Sequence, residues 1–174
     1  MDETQVGPEK TLLLAAPHGL EEIVATFGDI YDYIRPGGQL DPRWQADHLA
    51  SVELPFSLPP AWDPSKSINR MTCHKRMAEN LSRYSVWCRQ EGYNRRLRHS
   101  AGALPFASSG LGLGCPLTVG ALRFDLNSGT NAQGSSGDMD AGVIEIFRSA
   151  RFEWGGDWSG KRRDAMHFQF CSGY

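Results

Sequence analysis

The spacing of apolar residues changes several times along this chain, and each change predicts an element. After Pro17, the residues Leu20, Ile23, Val24 and Phe27 recur at i, i+3, i+4 and i+7, one face of a helix that Gly28 would stop. A turn-rich section follows in "RPGGQLDPRW" and "LPFSLPPAWDPSKS", where prolines fix an extended course and exclude long helices. Trp44, Phe56 and Trp62 are expected to pin that section to the core. From Ser67 to Arg83, "SINRMTCHKRMAENLSR" predicts a helix with Met71, His74, Met77, Ala78 and Leu81 roughly on one face, His74 being a satisfied core histidine rather than a ligand. Near the end, Asp138 is expected to cap a helix in "MDAGVIEIFRSA", with Val143, Ile144, Phe147 and Ala150 as its buried stripe.

Two short segments alternate instead. In "ALRFDLN", Leu122, Phe124 and Leu126 alternate with Arg123, Asp125 and Asn127; in "AMHFQFC", Met166, Phe168 and Phe170 alternate with His167, Gln169 and Cys171. Successive side chains of a strand point to opposite faces, so each segment predicts a strand with one apolar face. Asp125 and His167 then share the polar face, where neighbouring strands can bring them over one ion.

Composition narrows the picture without deciding it. A chain of 174 residues predicts one compact domain, taken as residues 17–174 behind a flexible lead at 1–16. A net charge of -2 gives no global field toward nucleic acid or an anionic membrane, so neither is expected as a partner, and a monomer is expected. No apolar run approaches the roughly 20 residues that span a bilayer. The acidic start and short "LLLAA" run lack the features of a signal peptide, so the chain is expected to be made in the cytoplasm, with release to the cell wall by lysis left open. Cys73, Cys88, Cys115 and Cys171 form no C-x-x-C pair and are expected to be free thiols.

Candidate chemistry gathers at the C-terminus. "FEWGGDWSGKRRDAMHFQF" places Asp164 three residues before His167, beside a Gly-Gly turn braced by Trp154 and Trp158. A neutral imidazole suits zinc, and a carboxylate close to the metal but not bound to it can take a proton from water. "DLNSGTNAQGSSGDMDAGVIEIF" and "WGGDWSGKRRDAMHFQF", with "LEEIVATFGD" and "WDPSKSINRMTCH" upstream, resemble the zinc D-alanyl-D-alanine carboxypeptidase and L-alanyl-D-glutamate endopeptidase family, which includes phage endolysins. The resemblance covers about residues 17–83 and 125–174. It implies an α+β single domain with a small antiparallel sheet carrying the metal site, flanked by helices. It also implies a zinc cofactor and peptidoglycan stem peptides as substrate. Carried over to this chain, it makes Asp125 and His167 zinc ligands and Asp164 the general base. The family's first motif, S-x-H-x(6)-D, requires a further histidine seven residues before Asp125, and that position is Thr118. Its neutral hydroxyl is a poor donor. His99 and Cys115 stand nearby in sequence, but neither has the family spacing.

The same middle segment departs from the family elsewhere. Residues 84–124 lack the F-R-x-x-R stretch of relatives, and carry five arginines and one glutamate but no lysine or aspartate. "RRLRH" is a single basic cluster without interleaved aromatics, and "GLGLG" lacks both phosphate-loop spacings, so neither makes a nucleotide or nucleic-acid site. A change of reading frame accounts for the departure. Pro116 to Phe124 can be encoded as CCA CTC ACA GTT GGG GCA TTG CGA TTC; one frame over, these bases read threonine, histidine, serine, tryptophan, glycine, isoleucine, alanine and isoleucine, ahead of Asp125 in its own frame. The third bases are free, but the first two are largely fixed by the protein and allow the family's residue at each step. Tyr84–Phe124 is thus read as a double-frameshift segment, and poor packing against its flanks is expected.

Overall fold

The computed structural model describes residues 13–36, 41–60, 63, 65–97, 100–101 and 122–173. They form an α+β domain with two small antiparallel sheets. The first helix, α1 (Gly19–Phe27), ends at Gly28, whose φ of 88° is one that a side chain would resist. Ile23 and Phe27 are buried on its inner face while Leu20 faces outward. Upstream, Leu13, Leu14 and Ala16 pack against the core, and the buried Asn80 donates to the Leu14 carbonyl at 3.1 Å, so the domain's packing begins ahead of residue 17.

The section rich in prolines is more regular than its composition predicts. Asp41 caps α2 (Pro42–His48) through the Arg43 amide, with Pro42 in the first turn where its missing N–H costs nothing. Trp44 is buried and Phe56 partly buried, as expected; Trp62 lies outside the described residues. A ten-residue strand follows, β1 (Leu49–Leu58), in which Val52 and Leu54 turn inward and Ser51 and Glu53 outward. Pro55 is accommodated where the register shifts between Glu53 and Leu58.

The helix predicted over Ser67–Arg83 is corrected in its first half. Ile68–His74 is strand β2, paired antiparallel with β1 from Leu49↔His74 to Glu53↔Arg70, and the helix α3 runs over Ala78–Gln90. Met71 and Cys73 point inward with Thr72 between them, so the buried set satisfies a period of two as well as one of 3.6. The partner strand decides, because it satisfies the backbone hydrogen bonds. α3 also continues past Arg83: Tyr84, Ser85 and Cys88 are buried on it, so the poor packing expected from Tyr84 onward is not found through Leu97, itself buried.

His74 is 1% exposed and satisfied, as the sequence predicts: its Nε2–H donates to the Phe27 carbonyl at 3.2 Å and its Nδ1 accepts the Arg76 amide at 3.2 Å. Burial, helped by the nearby His48 ring, pushes its pKa down to about 4. A histidine whose folded pKa lies below its unfolded value binds its proton more readily when unfolded. Stability is therefore whole above pH 6.5 and is lost as the pH falls toward 4, by roughly 3 kcal/mol at the lower end. Denaturant unfolding across that window should show the slope, and His74→Gln should flatten most of it.

The second sheet has strand order β3-β4-β6-β5, all pairs antiparallel: β3 (Ser100–Ala101), β4 (Arg123–Leu126), β6 (His167–Gln169) and β5 (Glu153–Trp154). Phe124, Leu126, Phe168 and Phe170 form its apolar face. Against it pack α3 and α4 (Ala141–Ser149), with Tyr84, Phe147 and Phe152 in ring contact. The buried stripe of α4 is the predicted one, Val143, Ile144 and Phe147 with Ala150 just beyond. Its cap is not. Asp140 accepts the Gly142 amide at 2.9 Å, while Asp138 accepts from Thr130 Oγ1 and Asn131 Nδ2 at 2.6 and 2.9 Å and so braces the preceding loop. Asp140 also pairs with Arg96. Asp140→Ala is expected to cost about 1 kcal/mol, while Asp140→Asn retains most of the stability because an amide oxygen can still cap; thermal melts separate the two.

Cys73 and Cys88 are free and buried and Cys171 is buried; Cys115 lies outside the described residues. Burial pushes the Cys73 and Cys88 thiols up to about 12, which leaves them unreactive. No helix among the described residues is long and apolar enough to cross a membrane.

Candidate active site

The site grows from the register of three strands. Asp125 of β4 lies opposite His167 of β6; one step along, Arg123 lies opposite Gln169, which is paired on its other side with Glu153 of β5. Because Phe124 and Phe168 fill the core face, the alternating residues Arg123, Asp125, His167 and Gln169 share the other face. His167 Nδ1 and Asp125 Oδ1 are 3.1 Å apart, with the histidine side chain 7% and the aspartate side chain 23% exposed.

Behind this pair runs a chain of hydrogen bonds. His167 Nε2 is 3.0 Å from Gln169 Oε1. The Gln169 amide nitrogen donates to Glu153 Oε2 at 3.2 Å and to the Cys171 carbonyl at 2.9 Å, and Glu153 Oε1 accepts from Trp158 Nε1 at 2.8 Å. The Trp158 ring lies 5.1 Å from the imidazole, tilted by 45°.

Asp164 enters from the loop before β6. Its amide donates to the Gly155 carbonyl at 2.9 Å, its carbonyl accepts the His167 amide at 3.1 Å, and it bridges to Gln133. The loop fits only because residue 155 is glycine: a Cβ there would lie 2.5 Å from the Asp164 carbonyl oxygen and 3.1 Å from His167 Cβ. At Gly156 a Cβ would strike the Trp154 ring at 2.1 Å. The Gly-Gly turn is thus a steric requirement of Trp154 and the D-x-x-H loop. Asp164 Oδ1 is buried and has no hydrogen-bond partner. Burial raises the Asp164 pKa; His167 draws it down and the negative Asp125 pushes it up, and the net direction is upward. A carboxyl with an unmatched buried oxygen and a raised pKa is suited to exchanging protons with something brought into the site.

Of the residues singled out from the sequence, the structure brings Asp125 and His167 together and places Asp164 in the adjoining loop. Gln169 and Glu153 were not among those residues. The alternation that exposed His167 places Gln169 on the same face, two residues on. Glu153 carried no signal of its own, because only the β5–β6 pairing brings it to Gln169.

Both hydrogens of the Gln169 amide go to acceptors, so Oε1 faces His167 and accepts from Nε2, which leaves Nδ1 as the nitrogen beside Asp125 Oδ1. A ring nitrogen and a carboxylate oxygen 3.1 Å apart fit a positive species between them. A catalytic zinc takes three protein ligands. Among the described residues no group of three or more His, Cys, Asp or Glu side chains is arranged to hold a metal, so the fit is that of two ligands from a set of three. Thr118, Cys115 and His99 lie outside the described residues.

Compared with known families, the chain matches a family model described as D-alanyl-D-alanine carboxypeptidase over residues 118–170. The match spans less than half of the chain but takes in Asp125, Glu153, Asp164, His167 and Gln169. Over that stretch the chain is similar to a peptidase family, and the sequence between residues 17 and 83 lies outside the match. No curated protein and no solved structure matches the chain significantly.

Proposed function

We infer that this chain is a zinc-type peptidase domain directed at peptidoglycan stem peptides, of the D-Ala-D-Ala carboxypeptidase or L-Ala-D-Glu endopeptidase kind, and impaired as written. The observation that carries the reading is the cross-strand pair of Asp125 and His167 with Asp164 beside it, inside the stretch that matches the carboxypeptidase family. Asp125 and His167 would hold the metal. When bound, zinc supplies a Lewis acid for a scissile carbonyl. Asp164 takes the proton of the attacking water and returns it to the leaving amine, the role its raised pKa favours.

Impairment follows from Thr118 at the first histidine position. The frame change proposed for the middle segment explains why. In the other frame, residues 122–124 read isoleucine, alanine, isoleucine, which keeps the alternation that β4 uses through Leu122 and Phe124. The strand forms in either frame, so half of the site survives while its histidine is lost.

A second reading is a peptidoglycan-binding derivative that no longer cuts, favoured by the two-ligand set among the described residues. One pair of assays separates the readings: zinc-loaded protein is incubated with purified sacculi, and both retention and release of free amines are measured. Slow, Asp164-dependent amine release supports an impaired peptidase, retention without release supports the binding derivative, and neither retention nor release rejects both.

A further inference from the structure

We propose that Gln169 is a positioning residue that fixes which nitrogen of His167 is offered to a cation. This deepens the peptidase reading and rests on it for the identity of the metal, although its central claim concerns the protein alone. A histidine that binds a metal must present a bare ring nitrogen, and the partner of its other nitrogen decides which one that is. Here the partner is the Gln169 side-chain oxygen, 3.0 Å from Nε2.

An isolated glutamine could turn its amide and offer nitrogen instead of oxygen, which would reverse the tautomer. Gln169 cannot. It is buried, and its amide nitrogen is held by two acceptors, Glu153 Oε2 and the Cys171 carbonyl. Glu153 is held in turn by the Trp158 indole N–H, a group that only donates. Direction is therefore imposed from the tryptophan inward: the indole N–H fixes the carboxylate, the carboxylate orients the amide, and the amide oxygen demands a proton on Nε2. Nδ1, 3.1 Å from Asp125 Oδ1, is left as the nitrogen that a cation can take. The relay crosses three adjacent elements of the sheet, so the tautomer is built into the β5–β6 pairing.

The test uses protein labelled with nitrogen-15 at histidine and long-range proton–nitrogen NMR, with and without zinc. In the wild type, Nε2 should carry a proton in both states and zinc should shift Nδ1. Gln169→Leu should move the proton to Nδ1, where Asp125 can accept it, and weaken zinc binding by calorimetry about 10–100-fold, the usual effect of losing a partner behind a metal ligand. A merely structural role would weaken zinc binding without moving the proton from Nε2, so the tautomer readout separates the two. A bare Nε2 in the wild type, or an unmoved proton in folded Gln169→Leu, would overturn the proposal. If the tautomers behave as stated but neither the wild type nor Thr118→His takes up zinc, the relay stands and the peptidase reading fails.

Discussion

On the frame-change reading proposed above, zinc affinity and stem-peptide hydrolysis are both expected to rise by more than about 100-fold when the codons of Tyr84–Phe124 are shifted to the frame that puts histidine at position 118. Loss of a partner one shell behind a metal ligand already costs about 10–100-fold in affinity or activity, so loss of a direct ligand costs more. On that reading the same change allows alanine in place of Arg123. Arg123 stands two residues before Asp125 on the polar face, and its positive charge draws down the Asp164 pKa, so its removal further favours a cation and a proton-accepting Asp164. In the restored protein, Asp164→Asn should leave zinc bound but lower the hydrolysis rate by about 10²–10⁴-fold, the usual contribution of a positioned acid or base. Asp125→Ala should lose the metal itself. Calorimetry with zinc and an amine-release assay read the two effects separately. A restored protein that binds zinc no better than the chain as written would sink the frame-change reading, and an unaffected Asp164→Asn would remove that residue from the mechanism.

The sequence made some of this legible for a definite physical reason. α1, α4, β4 and β6 each bury one side, so their apolar spacing carried the element and its orientation together. Asp125 and His167 emerged because a period of two leaves polar residues on a shared face. The β1–β2 hairpin was hidden because Met71, Cys73, His74 and Met77 fit two periods at once, and the choice between them is made by β1, distant in sequence and disguised by Pro55. Asp138 and Asp140 offered equal capping chemistry two residues apart; Asn131, packed into the preceding loop, claims Asp138. Gln169 and Glu153 gain their meaning only from strand pairing. Residues 98–99 and 102–121, which include the position where the resemblance expects the first histidine, lie outside the described residues.

Removing the Phe152 ring is expected to be the most destabilising single substitution proposed here. Phe152 lies between α4 and β5, 3% exposed, with the rings of Phe170, Phe147, Phe124 and Tyr84 at 5.1, 5.2, 5.9 and 6.0 Å. Four neighbours drawn from α3, α4, β4 and the residue after β6 meet there, so a void at its centre cannot be filled by shifting one element alone. Phe→Ala in such a site costs about 3–5 kcal/mol, and a domain of this size has roughly 5–15 kcal/mol in all. For a chain of this length that corresponds to a fall in Tm of about 6–20 °C. Phe152→Leu keeps most of the volume and should cost under about 1.5 kcal/mol. The consequence reaches the site, because Phe124 and Phe168 hold β4 and β6 from behind at the positions next to Asp125 and His167. Phe152→Ala should therefore lose zinc binding only in step with unfolding, whereas Asp125→Ala loses it with the fold intact. Thermal and denaturant melts run beside zinc calorimetry make the distinction, and a Phe152→Ala penalty below about 1 kcal/mol would mean that the aromatic cluster does not hold the sheet in place.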